Sequence, residues 1–148
     1  MHTAARVGLF ILFALALWGF RWAFVAYVVA ALSWMFVDSG FTLHAPQCEW
    51  PITLQGAALS MTKFGHILLF GLFFVITIRQ FKTVDRRSIL ISILATVLMG
   101  FIVELEEGMT GAGNCRMRDL VPDAAGALIA AAVIAAMDRV RRRLSVFD

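Results

Sequence analysis

Four ionisable side chains lie at spacings that could support acid–base chemistry. Lys63 and His66 are three residues apart, as are Glu104 and Glu107. Residues at i and i+3 share a helix face, so each pair would present two charged groups together. Histidine titrates near neutral pH, and a carboxyl that exchanges protons with it provides the minimum for general acid–base catalysis. His66 and Glu104 are therefore the candidate catalytic residues.

A second group of charges precedes or opens a later apolar segment. Asp119 and Asp123 are four residues apart, and Arg116 and Arg118 come just before them. Asp119 also suits the ordinary role of a helix N-cap. Lysine and arginine side chains could hold an anionic head group. The candidate ligand-binding residues are Lys63, His66, Glu104, Glu107, Arg116, Arg118, Asp119 and Asp123.

The composition indicates that the chain carrying these groups is a membrane protein. The chain has 148 residues, of which 61% are hydrophobic and 16% charged, whereas soluble domains have about 45–50% and about 25%. Two cysteines are too few for a small secreted disulfide scaffold, and 13 phenylalanines exclude a disordered chain. The basic residues flank apolar runs instead of forming a solvated face, so we expect no nucleic-acid partner.

Long apolar runs predict an all-α, polytopic membrane protein with four core transmembrane helices. The runs at residues 64–81, 88–103 and 120–137 are each long enough for one crossing, because a helix rises about 1.5 Å per residue and the hydrocarbon core is about 30 Å thick. Gly108 is suited to end the helix that contains residues 88–103. We expect a single domain over residues 1–148, since we find no linker or internal repeat.

The first apolar run, residues 7–37, is too long for one crossing and short for two. Arginine favours the membrane interface, so we expect the remaining one of the four crossings, which is the first in chain order, from Arg21 to Val37. Residues 5–20 then form an N-terminal apolar helix, either an interfacial segment or a fifth crossing. A cleaved signal peptide is the alternative for this segment.

Basic residues predict the orientation of the helices. One cluster of bases lies within residues 79–87 and a second within residues 139–143. The positive-inside rule places both clusters, and the C-terminus, in the cytoplasm. Segments 38–63 and 104–119 then face outward. The side of the N-terminus depends on whether residues 5–20 cross.

Both cysteines, Cys48 and Cys115, fall in these outward segments. An oxidising compartment permits a disulfide between them. Two free thiols, or a metal site that includes His44, are the alternatives.

Helix electrostatics predict partners for the first four charges. Lys63 and His66 open a helix at its positive end, and Glu104 and Glu107 close one at its negative end. Each placement is unfavourable alone. Because the two helices are antiparallel, both pairs reach the same outer depth. We therefore expect Lys63 and His66 to pair with Glu104 and Glu107.

The order of these motifs resembles that of the VanZ-like family of small bacterial membrane proteins. In that family Lys-x-x-His opens one helix, Glu-x-x-Gln closes the next, and Asp-x3-Asn-x2-Gly opens the last after an arginine-containing loop. Here the corresponding segments read KFGH from residue 63, ELEE from residue 104 and DLVPDAAG from residue 119. Glu107 and Asp123 replace the family's Gln and Asn, and Thr62 stands where the family usually has Asp. Either Arg116 or Arg118 could correspond to the family's arginine.

The resemblance covers roughly residues 60–130 and implies a cell-envelope role in the bacterial cytoplasmic membrane. The family is named after a member linked to glycopeptide (teicoplanin) resistance, and it supplies no established reaction. Whether this protein is an enzyme therefore stays open.

Three functions are compatible with these residues. The first is an outward pocket for an envelope lipid or peptidoglycan-precursor head group, in which a divalent cation bridging Glu107 and Asp123 is the one cofactor considered. The second is a partner-binding protein whose charges are structural inter-helix ion pairs. The third is proton or cation transport through His66, Glu104 and Asp123. Transport ranks last because the charges lie on one side and the inner half of every helix is expected to be apolar. The oligomeric state is left open.

Overall fold

The computed structural model describes residues 2–144, and these residues contain helices and no strand. The expected all-α class is confirmed for this part of the chain. The elements in chain order are α1 (His2–Leu17), α2 (Arg21–Asp38), α3 (Leu54–Ser60), α4 (Phe64–Ile78), α5 (Arg86–Thr110), a 3-10 turn (Met117–Asp119) and α6 (Leu120–Leu144).

Three segments are long and apolar enough to cross a membrane: Arg21–Asp38, Arg86–Thr110 and Met117–Leu144. The pair α3 and α4 passes the same test as a unit but is bent by 77° at its break. The apolar segment Thr3–Leu17 is shorter. The described residues therefore hold three such helices, or four if the bent pair counts as one, as expected for a multi-pass membrane protein.

The short helix α3 was not predicted from the sequence. The hydroxyl of Thr53 caps it by accepting a hydrogen bond from the backbone N–H of Gly56 at 3.1 Å. The helix ends at Ser60, where the chain turns before α4 begins at Phe64. Ser60 is buried, and this turn therefore aims a polar side chain into the protein just before Lys63.

Helices α1 and α2 pack against each other in an antiparallel hairpin. The rings of Phe13 and Tyr27 meet edge-on with centroids 5.8 Å apart, and the fully buried Ala16 packs in the cluster that contains Phe24. Side chains that follow α4 stabilise the last turn of α1, because Gln80 Nε2 donates to the carbonyl oxygen of Ala16 at 2.8 Å. The end of α1 therefore lies beside the end of α4.

Helices α4 and α6 approach each other most closely at two glycines. A Cβ atom on Gly126 would overlap the carbonyl oxygen of Ile67 and lie 2.9 Å from the backbone nitrogen of Gly71. Small residues at such a crossing let two helix backbones touch. This contact brings the first turn of α6 next to the first turn of α4.

Helix α5 begins at a capping box and runs two residues beyond its expected end. Asp85 Oδ1 accepts the backbone N–H of Ser88 at 2.7 Å, and Ser88 Oγ accepts the N–H of Asp85 at 2.9 Å. Gly108 was expected to end the helix, but α5 continues to Thr110 and Gly111 forms the left-handed cap with φ 68°.

The N-terminal half of α5, which was expected to be its inner half, is not uniformly apolar, which corrects the expectation used against transport. Ser88, Ser92 and Thr96 are four residues apart and all three are buried. Residues four apart are neighbours on the helix surface, and with Gly100 and Glu104 these three form a row that winds around α5 by about 40° at each step. Buried polar residues of α5 therefore extend from Glu104 back to the first turn of the helix.

Candidate functional site

The first turns of α4 and α6 are joined by a hydrogen-bonded ion pair. Lys63 Nζ donates to Oδ2 of Asp119, and Ser60 Oγ donates to Oδ1 of the same carboxylate at 2.9 Å. The Asp119 side chain is 3% exposed, whereas that of Lys63 remains partly exposed. Both carboxylate oxygens of Asp119 thus receive hydrogen bonds from side chains, which a buried charge requires.

A second contact lies one turn deeper between the same two helices. His66 Nδ1 and Asp123 Oδ1 are 2.9 Å apart, and the imidazole is roughly parallel to the ring of Phe70 at 6.2 Å. Asp123 is 1% exposed and His66 is 30% exposed. Because Asp123 engages Nδ1, Nε2 is the ring nitrogen left for another group.

The expected pairing of Lys63 and His66 with Glu104 and Glu107 is wrong in its partners. All four groups do lie at the start of α4 and in the last third of α5, but the close α4–α6 crossing pairs the two cations with the acids of α6 instead. Glu104 is buried and its Oε2 accepts the backbone N–H of Arg116 at 2.6 Å. The Glu107 carboxyl packs against Gly113.

Cys48 and Cys115 form a disulfide, with their Cα atoms 4.6 Å apart. This settles the choice between the bond and two free thiols. Gly108 makes room for the bond, because a Cβ atom there would lie 2.9 Å from Cβ of Cys115. The glycine that was expected to end α5 therefore serves to pack the disulfide against it.

The disulfide carries Glu49 next to two arginines. The backbone N–H of Glu49 donates to the carbonyl oxygen of Cys115 at 2.9 Å. Its carboxylate lies 3.5 Å from the guanidinium of Arg118 and 3.8 Å from that of Arg116. Glu49 was not predicted as a site residue. The sequence does contain a signal for it: Glu49 follows Cys48 and Arg116 follows Cys115, so a bond between the two cysteines places Glu49 beside Arg116.

A cavity of about 350 Å³ opens beside this disulfide at the C-terminal end of α5. Among the predicted ligand-binding residues, Glu107 and Arg116 line it. Its other lining includes His44, Glu49 and the glycine-containing turn that follows α5. The volume falls in the range of about 300–1,000 Å³ that is usual for small-molecule sites.

The remaining predicted residues, Lys63, His66, Glu104, Arg118, Asp119 and Asp123, do not line this cavity. The structure therefore separates the predicted set into buried hydrogen-bonded pairs and an adjoining open site. Residues 2–144 bring together no group of three or more His, Cys, Asp or Glu side chains suited to a metal ion. Neither the suggested cation bridge between Glu107 and Asp123 nor a metal site at His44 gains support from this geometry.

Comparison of the chain with protein-family models, curated proteins and solved structures finds no match in any of the three. The resemblance to the VanZ-like family rests on the sequence motifs.

Proposed function

We propose that this is a VanZ-like protein of the bacterial cytoplasmic membrane that binds the head group of an envelope lipid or peptidoglycan precursor at its outer face. The cavity beside the disulfide carries the proposal, because it lies at the helix ends where lipid head groups lie. A link to teicoplanin susceptibility is part of the proposal and follows from the resemblance.

In the proposed topology α2, the α3–α4 pair, α5 and α6 make four crossings. The basic segment after α4 and the basic end of α6 face the cytoplasm. The contact between Gln80 and the end of α1 supports placing that end at the cytoplasmic side as well. Since α1 packs antiparallel to α2, α1 then makes a fifth crossing that begins on the outer side.

The charges that line the cavity favour a head group with both signs of charge. Glu49 and Glu107 are carboxylates, and Glu107 lies near the negative end of the α5 dipole, so this part favours an ammonium group. Arg116 lies at the same cavity, and a guanidinium binds phosphate or carboxylate through paired N–H groups. A zwitterionic head group satisfies both parts of the cavity, whereas two carboxylates repel a phosphate that has no ammonium group beside it.

The buried pairs have a positioning role in this proposal. Lys63 with Asp119 and His66 with Asp123 join α4 to α6, and Glu104 holds the backbone of Arg116. Ion pairs of this kind can fix the register of neighbouring elements. The partner-binding alternative would use these same contacts and leave the cavity without a ligand.

Native mass spectrometry of the detergent-purified protein tests the proposal. We expect a co-purifying envelope lipid on the wild type, and its loss from Arg116→Gln. The matched control is Arg139→Gln, because Arg139 is exposed near the other end of α6 and should not affect binding. A wild type that carries no lipid, or equal retention by both variants, would contradict the proposal.

A further inference from the structure

One face of α5 carries a line of buried polar and small residues through the membrane region. Ser88, Ser92, Thr96 and Gly100 follow one another at intervals of four residues and all are buried. Each interval rises about 6 Å, so the line covers about 18 Å of a core about 30 Å thick. It starts at the capping box of Asp85, on the proposed cytoplasmic side.

Two buried polar atoms on or next to this line have no hydrogen-bond partner among the described residues. They are Oγ of Ser92 and Oδ2 of Asp123. Oδ2 of Asp123 points towards Gly100 on this line, because a Cβ atom added to Gly100 would lie 2.6 Å from that oxygen. Buried polar atoms are nearly always satisfied, by protein or by ordered water, so two exceptions at one helix interface call for an explanation.

We infer that this face of α5, together with His66 and Asp123, forms a proton path across the membrane. The inference goes beyond head-group binding and does not depend on it. His66 connects the path to the outer surface, since its ring is partly exposed and its Nδ1 contacts Asp123 Oδ1. The hydroxyls of Thr96, Ser92 and Ser88 continue the path to the cytoplasmic end. Thr96 Oγ1 donates to the carbonyl oxygen of Ser92 at 2.8 Å and Ser88 Oγ to that of Asp85 at 2.9 Å, so these two hydroxyls must rotate to pass a proton.

Each transfer moves one proton and leaves the charge of every group unchanged. His66 ends with its proton on Nε2, so its ring must rotate to restore an N–H facing Asp123 before the next transfer. A proton binds Nε2 of His66 from outside as the Nδ1–H bond breaks and a new O–H bond forms on Asp123 Oδ1. The carboxylic acid then releases a proton from Oδ2 toward Thr96, after rotation of the carboxyl group. Residues four apart are offset by about 6 Å along the helix axis, which exceeds one hydrogen bond of about 2.8 Å, so the path requires a bridging water molecule in each gap.

The charged surroundings of Asp123 favour a relay at this position. His66 and Lys63 approach it from α4, Asp119 lies one turn before it, and Glu104 faces the same region from α5. Lys63 is hydrogen-bonded to Asp119, which leaves His66 as the direct partner of Asp123.

Proton flux into proteoliposomes tests the inference. The purified full chain is reconstituted with an internal pH-sensitive dye, and a potassium gradient with valinomycin drives protons inward. We expect flux above that of protein-free liposomes. Asp123→Asn should lower it about 100-fold, the scale on which a positioned acid–base group acts. Thr96→Val, which keeps the side-chain shape and removes the hydroxyl, should also lower it.

Glu106→Gln is the matched control, because Glu106 is also a buried carboxyl of α5 but does not lie on the proposed path. Its flux should equal that of the wild type, and size-exclusion profiles establish that each variant is folded. Wild-type flux no greater than that of empty liposomes would overturn the inference. Equal flux in Asp123→Asn and the wild type would overturn it as well.

Discussion

Replacing Gly126 with alanine should disrupt the contact on which the site geometry depends. The added methyl carbon would lie 2.9 Å from the backbone nitrogen of Gly71 and closer still to the carbonyl oxygen of Ile67. An ordinary contact needs about 3.5 Å. Both obstacles are backbone atoms, so α4 and α6 must separate by about 1 Å.

The cost of this separation has two parts. Forcing a methyl group into a packed interface costs about 1–3 kcal/mol. A 1 Å shift would also stretch the 2.9 Å contact between His66 and Asp123 beyond hydrogen-bonding range. An unsatisfied buried polar group costs a further 1–3 kcal/mol or so. We expect a total loss of about 2–6 kcal/mol, a large part of the net stability of about 5–15 kcal/mol that is usual for proteins.

Unfolding of the purified protein in mixed micelles, followed by circular dichroism as the denaturing detergent is increased, measures this loss. Gly65→Ala is the matched control, because Gly65 lies in the first turn of α4 and a Cβ atom there meets nothing within 4 Å. It should unfold like the wild type or gain up to about 1 kcal/mol from helix propensity. A Gly126→Ala protein within about 0.5 kcal/mol of the wild type would refute the close crossing.

Three further predictions concern the loops and caps. Cys48→Ser should destabilise the protein by about 2–4 kcal/mol, because the bond to Cys115 closes a long loop; alkylation of both thiols in the absence of reductant would contradict the bond. Gly111→Ala should cost about 1–2 kcal/mol in the same unfolding assay, because residue 111 has φ 68°, and no loss would argue against a left-handed cap. The backbone N–H of Ser88 lowers the pKa of the Asp85 carboxyl from its ordinary 3.8. The stability it contributes is therefore present above that value and lost as the pH falls through the lowered pKa, so Asp85→Asn should show less acid destabilisation than the wild type.

The helical class and the placement of charges near helix ends could be predicted, because both depend on local patterns. Apolar runs locate helices, and Arg21 marks the start of α2 at the residue observed. Lys63 and Glu104 were placed at helix ends from the sequence alone. These inferences need no knowledge of which helices touch.

The partners of the charges could not be predicted, because they depend on which helix pair approaches most closely. Dipole arguments favoured Glu104 and Glu107 on α5 as the partners of Lys63 and His66, whereas the structure pairs the two cations with Asp119 and Asp123. Gly71 and Gly126 make the α4–α6 contact closer, and that backbone approach decides the pairing. The small residues at these two positions are the sequence signal that would have favoured α6.

The cavity was missed for a different reason. The cavity is formed by a loop held by a disulfide and by the turn after α5. Residues in loops show no periodic sequence pattern from which their positions could be predicted. Glu49 gains its place only through the bond of its neighbour Cys48 to Cys115. The hydroxyls of α5 were visible in the sequence, but their shared face emerges only when residues four apart are compared.

A lipid competition experiment tests the central claim most directly. The delipidated protein is offered equal amounts of phosphatidylethanolamine, which carries a phosphate and an ammonium group, and phosphatidylglycerol, which carries the phosphate alone. The bound species are then weighed by native mass spectrometry. The cavity charges predict preferential binding of phosphatidylethanolamine by the wild type and loss of that preference in Glu107→Gln. Equal binding of the two lipids by the wild type, or a preference that Glu107→Gln leaves unchanged, would contradict a zwitterionic head-group site beside the disulfide.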